Sequence, residues 1–258
     1  MTDAFYHIVI PARYGSSRFP GKPLAMVAGK AMIDHVYNRA QAAVSQHGAI
    51  DVTVATDDQR ILDHCRQQGI DAVMTSEDHP SGTDRVADVV DKQGWDDDTI
   101  VVCLQGDEPA TPAAIIAQVA LNLQRFPDAS IATLCTPVKS AEEYNDRDRV
   151  KVVFDHQGYA LYFSRAPIPH RRDVAAGSDF PGAFVHVGMY AYRAGFLRHY
   201  QNLEPHTLEL EEKLEQLRAL ANGYRIHVEP AVEMPAHGVD RPEDVSAVEV
   251  LLRKQAGN

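Results

Sequence analysis

The chain has 258 residues, of which 45% are apolar and 24% charged, and a formal net charge of −11 at pH 7. This composition is typical of a soluble globular protein large enough for an α/β core without disulfides. The negative charge argues against a general nucleic-acid or anionic-membrane surface, and no apolar run approaches the roughly 20 residues that cross a bilayer. We therefore expect a cytoplasmic protein with no nucleic-acid partner and no membrane insertion.

The three cysteines, Cys65, Cys103 and Cys135, form neither a CxxC pair nor a metal-ligand spacing. Their odd number favours reduced thiols, and we interpret each as a small buried hydrophobic residue.

Strand-like runs alternate with amphipathic helical patterns along the first half of the chain. This alternation is typical of an α/β fold with a mostly parallel sheet and helices on both faces. In chain order, the pattern predicts strands at His7–Pro11, Asp51–Thr56, Val73–Met74, Thr99–Leu104 and Ser130–Pro137. It predicts helices at Met32–Gln46, Gln59–Gln68, Asp84–Lys92 and Pro112–Leu123.

The second half is richer in strands after about Glu142. Two β-rich runs, Lys151–Asp155 and Tyr159–Phe163, flank a turn and predict an antiparallel element. A charged, glycine-containing segment, Arg171–Gly182, is typical of an exposed, mobile loop. The last predicted elements are a strand at Ala183–Arg193, a helix at Leu208–Asn222 with Gly223 as its C-cap, a strand at Arg225–Glu229 and a helix at Pro242–Lys254. We expect one domain over residues 1–258, with a β-rich sub-region at about 142–193.

The segment IPARYGSSRFPGKPL runs directly off the first predicted strand. It therefore lies at the carboxyl edge of the sheet, where open α/β folds bind ligands. Gly15 and Gly21 permit tight turns that aim N–H groups at phosphate oxygens, and Arg13, Arg18 and Lys22 supply counter-charge. The segment is neither a Walker loop nor a GxGxxG motif, and a solvated basic loop is the alternative interpretation.

The full pattern resembles the 3-deoxy-manno-octulosonate cytidylyltransferase family, also called CMP-Kdo synthetases. The matches extend over nearly the whole chain: IPARYGSSRFPGKPL, VATDD, HPSGTDR, LQGDEP, VKVVFD, ALYFSRAPIP, HVGMYAYR, EKLEQLRAL and GVDRPEDV. The resemblance implies a Rossmann-like nucleotidyltransferase sheet. It also implies transfer of CMP from CTP to Kdo, an acidic eight-carbon sugar, with release of pyrophosphate. The product, CMP-Kdo, serves lipopolysaccharide biosynthesis. A homodimer, with its contact in the β-rich segment, is implied as well.

Two acidic motifs predict the metal site. Asp107, in LQGDEP, follows a buried strand and can hold a hard cation against the triphosphate, because Mg²⁺ typically takes only one or two protein carboxylates. The resemblance implies that Asp107 and Asp240, 132 positions apart, together coordinate the catalytic magnesium. A turn residue is the alternative for Asp107, and a residue at or near a helix N-cap is the alternative for Asp240.

The resemblance places the cytosine base at HPSGTDR, where hydroxyl, backbone and guanidinium donors occur together. A site built on such hydrogen bonds rejects the wrong base strongly. Ser81 or Thr83 can equally cap the following helix, and both roles can coexist. The implied nucleotide-binding residues are Ala12, Arg13, Gly15, Ser16, Lys22, Ser81, Gly82, Thr83 and Arg85.

The acidic sugar carries a carboxylate and many hydroxyls, so its pocket needs a cationic or imidazole group and several polar partners. Residues of these types in matching motifs are Gln105, Arg165, His186, Tyr190, Glu215 and Gln216. A core position is the alternative for Tyr190, and a solvated helix surface the alternative for Glu215. His170, Arg171 and Arg172 add positive charge that tunes the choice of sugar or solvates a loop.

The predicted reaction is in-line attack by the anomeric hydroxyl of the sugar on the α-phosphorus of CTP. Catalysis then comes from alignment and from charge neutralisation by Mg²⁺, Arg13, Arg18 and Lys22, with Asp107 as the fourth catalytic residue. The alternatives are the same reaction on 8-amino-Kdo or another acidic sugar, and a non-catalytic nucleotide-sugar sensor.

Overall fold

The structure is a computed structural model, and it describes residues 5–16, 18–79, 81–172, 180–236 and 238–256. The strands are β1 (Tyr6–Ala12), β2 (Met26–Val27), β3 (Lys30–Ala31), β4 (Ala49–Thr56), β5 (Ala72–Met74), β6 (Ile100–Cys103), β7 (Ile131–Pro137), β8 (Lys151–Phe154), β9 (Ala160–Ser164), β10 (Phe184–Arg193) and β11 (Ile226–Pro230). The α-helices are α1 (Met32–His47), α2 (Gln59–Gln68), α3 (Gly82–Gln93), α4 (Ala113–Arg125), α5 (Ala141–Asn145), α6 (Ala194–Tyr200), α7 (Thr207–Glu212), α8 (Gln216–Ala221) and α9 (Val245–Ala256). Short 3-10 helices cover Lys22–Leu24 and Pro242–Asp244.

The central sheet has the strand order β11-β7-β10-β6-β1-β4-β5. Strand β1 is parallel to β4 and β6, with Ile8 opposite Val52 on one side and Val102 on the other. Strand β10 is antiparallel to both of its neighbours, β6 and β7. The hairpin of β8 and β9 joins the sheet because β8 pairs with β10. These pairings confirm the predicted mostly parallel α/β fold and its smaller antiparallel element.

The central strands are buried on both faces, as their continuous apolar runs predict. Alternate side chains point to opposite faces, so the sheet separates two hydrophobic clusters. Ile8 and Val102 belong to the cluster on one face, and Val9 and Val101 belong to the cluster on the other. All four residues of β6 are buried. This rigid centre carries the loops that follow β1 and β6.

The predicted helix at Leu208–Asn222 is wrong in one respect, because it is two short helices. Lys213 interrupts it with a left-handed backbone (φ +55°) and donates its N–H to the Glu209 carbonyl. Glu212 meanwhile accepts hydrogen bonds from the Ser164 hydroxyl (2.5 Å) and the Arg165 N–H (2.8 Å), which ties the end of α7 to β9. Leu210, predicted on an apolar face, is 52% exposed. Tertiary contacts therefore override the helical periodicity here.

The sequence also misses several short elements, namely the β2–β3 hairpin, α5 and α6, since each is too short to show a period. Within the predicted mobile loop Arg171–Gly182, residues 173–179 lie outside the described residues. At its described ends, the Arg171 guanidinium lies over the Phe180 ring and Phe180 packs against a buried cluster that includes Tyr144. Among the described helices, none has the length and apolar character that a membrane span requires.

Candidate active site

The loop after β1 folds around the side chain and carbonyl of Tyr14. The Tyr14 carbonyl accepts hydrogen bonds from the backbone N–H groups of Ser16 and Gly21, both at 2.9 Å. Gly21 has φ +70°, and a Cβ atom on it would lie 2.9 Å from the Tyr14 ring. Only glycine fits this turn, which places Lys22 at the start of the short 3-10 helix and against the next loop.

Lys22 joins the two predicted metal-binding segments. Its Nζ donates to Asp107 Oδ2 at 2.6 Å and to the Val239 carbonyl at 3.0 Å. The Val239 N–H in turn donates to the Asp107 carbonyl at 2.8 Å, and Arg18 Nη2 lies 3.0 Å from Asp240 Oδ1. The fold therefore brings Asp107 and Asp240 to one place, as the sequence predicts.

Asp240 lies directly before the N-cap of the short helical segment, because Arg241 occupies the N-cap position. The carboxylate of Asp244, within the segment, accepts the N–H groups of Asp240 (2.9 Å) and Arg241 (2.8 Å), so it supplies the capping-box contact to the N-cap residue. The Asp240 side chain is 55% exposed and pairs with Arg18. Its carboxylate is thus available at the edge of the sheet.

A first cavity, which we call the nucleotide cavity, has a volume of about 190 Å³ and lies beside this ion pair. Several of the cations of an otherwise acidic protein line it, together with the start of α3. The predicted site residues that line it are Ala12, Arg13, Ser16, Arg18, Lys22, Ser81, Gly82, Arg85, Gln105 and Asp107. Gly15 is exposed in the same loop but does not line the cavity.

Ser81 caps α3, which confirms one of its two predicted roles. Its hydroxyl oxygen accepts the Asp84 N–H at 3.2 Å and its O–H donates to Asp84 Oδ2 at 2.7 Å. An N-cap of this kind fixes the first turn of the helix. The turn faces the nucleotide cavity, so capping and a binding role remain compatible.

A second cavity, the acceptor cavity, has a volume of about 290 Å³ and shares Gly82 and Gln105 with the first. Gln105, Thr83, Tyr190, Glu215 and Gln216 all line it. The Thr83 hydroxyl donates to Glu215 Oε2 at 3.1 Å. The buried Gln216 Nε2 has no hydrogen-bond partner among the described residues, which leaves a donor for a ligand. Tyr190, which is half-buried, therefore faces a cavity as well as the core, and Glu215 lines the cavity while the residue stays exposed.

The electrostatics of the acceptor cavity come from loss of water. Burial raises the pKa of Tyr190 well above its ordinary value, and the Glu215 charge adds to the rise. Burial also raises the pKa of the Glu215 carboxyl group above its ordinary value of 4.5, although the residue is exposed where it lines the cavity. Charged and hydrogen-bonding groups of a ligand therefore interact here in a poorly solvated space.

Two predicted sugar-binding residues do not line the acceptor cavity. Arg165 donates from Nε to the Glu212 carbonyl at 2.7 Å and from Nη1 to the Arg147 carbonyl at 3.1 Å. His186 Nε2 lies 2.9 Å from the Thr133 hydroxyl, and burial lowers the pKa of His186 to about 3. The imidazole is therefore neutral near pH 7 and supplies no cation for a carboxylate.

Comparison with known proteins identifies the family of the chain. Residues 7–226 match the model of a family described as cytidylyltransferase. The 3-deoxy-manno-octulosonate cytidylyltransferase of Alkalilimnicola ehrlichii is 53% identical, over 99% of this chain and 98% of its own length. The enzyme of the same name from Thioalkalivibrio sulfidiphilus is 51% identical over 96% and 99%. A solved structure of a CMP:2-keto-3-deoxy-manno-octonic acid synthetase complexed with CTP has a TM-score of 0.87 and 41% identity, over 97% of this chain and 99% of that one.

The chain belongs to the 3-deoxy-manno-octulosonate cytidylyltransferase family. This confirms the resemblance seen in the sequence, and the protein is a nucleotidyltransferase.

Some cavity residues of this cytidylyltransferase were not singled out in the sequence. Lys213, Tyr192 and Tyr200 also line the acceptor cavity. Lys213 lies within EKLEQLRAL and Tyr192 within HVGMYAYR, so the family motifs carried the only signal for them. Glu108 follows Asp107, and burial together with the Asp107 charge raises the pKa of Glu108 to about 7. The raised pKa of Glu108 depends on tertiary burial, so the sequence does not reveal it.

Proposed function

We propose that this cytidylyltransferase transfers CMP from CTP to the anomeric hydroxyl of Kdo, giving CMP-Kdo and pyrophosphate for lipopolysaccharide biosynthesis. The observation that supports the proposal most directly is the pair of cavities that meet at Gln105 and Gly82. The cavity rich in cations suits a triphosphate, and the cavity with tyrosine, carboxylate and amide groups suits a polyhydroxylated acid. The Lys22–Asp107 pair lies at the inner wall of the first.

The triphosphate is assigned to Arg13, Arg18 and Lys22 with Ala12, Gly15 and Ser16. Guanidinium groups and a lysine ammonium bind phosphate oxygens strongly when they are already oriented. The base is assigned to Ser81, Gly82 and Thr83 at the capped end of α3, where hydroxyl and backbone groups line the cavity. Binding of the triphosphate requires Lys22 and Arg18 to exchange their present carboxylate partners for phosphate oxygens.

The acidic groups fit a magnesium ion. No cluster of three histidine, cysteine or acidic side chains suited to a metal occurs among the described residues, but Asp107 and Asp240 converge near the phosphate-binding cations. Mg²⁺ is usually bound by one or two carboxylates, with phosphate and water oxygens filling the other positions. Asp107 and Asp240 would hold it, and it would supply charge neutralisation at the α-phosphate.

The sugar is assigned to Gln105, Tyr190, Glu215 and Gln216, which line the acceptor cavity. Arg165 and His186, which do not line it, are retained as predictions. In the proposed step the anomeric oxygen attacks the α-phosphorus, the bond to the β-phosphate oxygen breaks, and pyrophosphate leaves. Alignment of the two substrates supplies much of the rate, because it replaces a bimolecular encounter by a fixed approach. No enzyme nucleophile takes part, and Cys65, Cys103 and Cys135 are all buried free thiols.

Pyrophosphate release from CTP and Mg²⁺ tests the proposal, with Kdo, 8-amino-Kdo and N-acetylneuraminate tested in parallel and a control without sugar. We expect release that depends on Kdo. Release only with 8-amino-Kdo or N-acetylneuraminate would reassign the acceptor. CTP binding without release for any of the three would favour a nucleotide-sugar sensor instead.

We also propose a single domain over residues 1–258, acting as a cytoplasmic homodimer. The β-rich sub-region at about 142–193 pairs through β8 and β10 with the main sheet, which supports one domain. Leu161 on β9 and Leu208 and Leu210 around α7 are 64%, 40% and 52% exposed. Such apolar groups favour a contact between copies. Light scattering of the wild type and of Leu161→Glu tests the assembly, and a wild-type monomer at micromolar concentration would contradict it.

A further inference from the structure

The Arg85 side chain connects three segments of the chain beneath the nucleotide cavity. Its side chain is 3% exposed, and Nη2 lies 2.6 Å from Asp57 Oδ2. Nη1 donates to the Thr75 hydroxyl and to the Ser76 carbonyl, the latter at 3.2 Å. Asp57 follows β4 and Thr75 follows β5, so Arg85 ties helix α3 to the ends of two strands. Its hydrogen-bonding groups are thereby largely committed to the protein.

Helix α3 carries the wall that the two cavities share. Ser81 and Gly82 line the nucleotide cavity, and Gly82 and Thr83 line the acceptor cavity. Arg85 lies one helical turn after Ser81. The hydrogen bonds of its guanidinium therefore fix the position of this first turn along the helix axis and its rotation about that axis. Asp88, nearly one turn further along, binds the Ser76 N–H at 3.3 Å and His79 Nε2 at 3.0 Å. Ser76 and His79, in the segment that leads into α3, are therefore hydrogen-bonded to the helix itself.

We infer that Asp57 and Arg85 form a positioning pair that sets the CTP-binding wall, and that Arg85 does not act as a direct ligand of the nucleotide. Asp57 belongs to the VATDD motif and does not line the cavity. The inference rests on the proposed function, because it takes the nucleotide to be CTP. It gives VATDD a role: its first aspartate orients the arginine that orients the base-binding turn.

A direct contact and a positioning role predict opposite signs for one substitution. If Arg85 binds CTP directly, Asp57 neutralises part of its charge, and Asp57→Asn frees the guanidinium and tightens binding. If Arg85 positions α3, Asp57→Asn leaves a buried guanidinium without its counter-ion, and the guanidinium moves to find other partners. The first turn of α3 then shifts. Small displacements of positioning groups cost up to about 10²-fold.

Calorimetric titration of CTP and UTP into the full-length protein tests the inference. We expect Asp57→Asn to raise the Kd for CTP by about tenfold or more and to narrow the preference for CTP over UTP. Arg85→Lys keeps the charge but loses the planar fork that spans its acceptors, so it shows the same effect. Asp128→Asn, which breaks the exposed Arg225–Asp128 pair, is the matched control and leaves the Kd unchanged.

Steady-state kinetics give a second readout that a general loss of stability would not produce. Lys22 and Asp107 are untouched by these substitutions, so the KM for CTP rises while kcat at saturating CTP stays within about threefold. Rescue of the CTP/UTP preference by Asp57→Glu is also expected, since the longer carboxylate can still pair with Arg85.

Unchanged or tighter CTP binding by Asp57→Asn would overturn the inference. Should that variant fail to fold, Thr75→Val tests the positioning role instead. It removes one hydrogen-bond acceptor of Arg85, changes the side-chain volume little and leaves the Asp57–Arg85 ion pair in place. We expect its Kd for CTP to rise by a few-fold, and an unchanged Kd would contradict the positioning role. A wild-type protein that binds no CTP would overturn the proposed function as well, whereas wild-type binding with unaffected variants would overturn this inference alone.

Discussion

The nucleotide cavity and the acceptor cavity adjoin each other but are built by different physics. The first is lined by charged groups that already have partners, such as Lys22 with Asp107 at 2.6 Å and Arg18 with Asp240 at 3.0 Å. The second is lined mainly by aromatic and polar groups, and burial raises the pKa values of Tyr190 and Glu215 there. Ligand binding in the first cavity would exchange ion pairs, and in the second it would satisfy the Gln216 amide, whose Nε2 has no partner among the described residues.

This difference between the two cavities predicts which kinetic parameter a substitution changes. In the proposed mechanism the charges of Lys22 and Asp107 act in the chemical step, so their loss lowers turnover. Unsatisfied groups give affinity and selectivity, so losses in the acceptor cavity raise the KM for the sugar. The predictions below test this division, from the largest expected effect to the smallest.

Removal of divalent metal should abolish activity. Asp107 and Asp240 supply only carboxylates, and without a cation they repel the triphosphate. We expect exhaustive EDTA treatment to stop pyrophosphate release and added Mg²⁺ to restore it. A matched treatment with the magnesium-saturated chelator controls for direct inhibition, and full activity in excess EDTA would refute the metal assignment.

Lys22→Ala and Asp107→Asn should each lower turnover by roughly 10²-fold or more, because each removes a preoriented charge from the phosphate-transfer site. Circular dichroism should show an intact fold, since both side chains lie at the sheet edge. Lys254→Ala, on the exposed end of α9, is the matched control. Near-normal kcat in either site variant would remove that residue from the mechanism.

Glu215→Gln should raise the KM for the sugar by about tenfold while the KM for CTP changes less than twofold. The Glu215 carboxylate accepts the Thr83 hydroxyl hydrogen bond, and Glu215 lines the acceptor cavity but not the nucleotide cavity. An amide keeps the shape but loses the charge that a sugar hydroxyl binds most strongly. Initial rates at saturating CTP measure this, and an equal rise in both KM values would contradict the separation of the two cavities.

The half-buried His186 should make stability depend on pH in the acid range. Its folded-state pKa is about 3 and its ordinary value is 6.5. The unfolded chain therefore binds the proton first, so the free energy of unfolding falls as the pH drops from about 6.5 towards 3. The slope from this group approaches about 1.4 kcal/mol per pH unit.

Urea denaturation at pH 7 and pH 5 checks this effect by comparing the wild type with His186→Gln. Glutamine can still donate to Thr133 but cannot take up a proton. We expect the variant to lose less stability on acidification, and the same loss in both proteins would show that His186 is not the titrating group.

The sequence predicted the fold through signals that are local. Continuous apolar runs such as Thr99–Leu104 indicate strands buried on both faces, and the observed β6 lies in the centre of the sheet. The loop from Arg13 to Lys22 and the acidic motif around Asp107 are readable because parallel strands end at the same edge. Ser81 followed by Asp84 likewise indicates a helix start, and the structure confirms that cap.

Other features were decided only by tertiary contacts. Nothing near Lys213 in the chain predicts that it ends a helix in a left-handed conformation, because the tie of Glu212 to β9 joins segments 48 positions apart. The pairing of Arg85 with Asp57 joins segments 28 positions apart, and it underlies the positioning role inferred for a residue that the family resemblance implied as nucleotide-binding.

By itself, the sequence determined the order of the elements, the edge of the sheet that carries the site and the family to which the chain belongs. Each of these depends on patterns within one segment or on motifs matched one by one. The tertiary structure decided which side chains face a cavity, which are already paired and which have lost their water. Pairing and desolvation depend on distances between segments that are remote in the chain, so they exist only once the chain has folded.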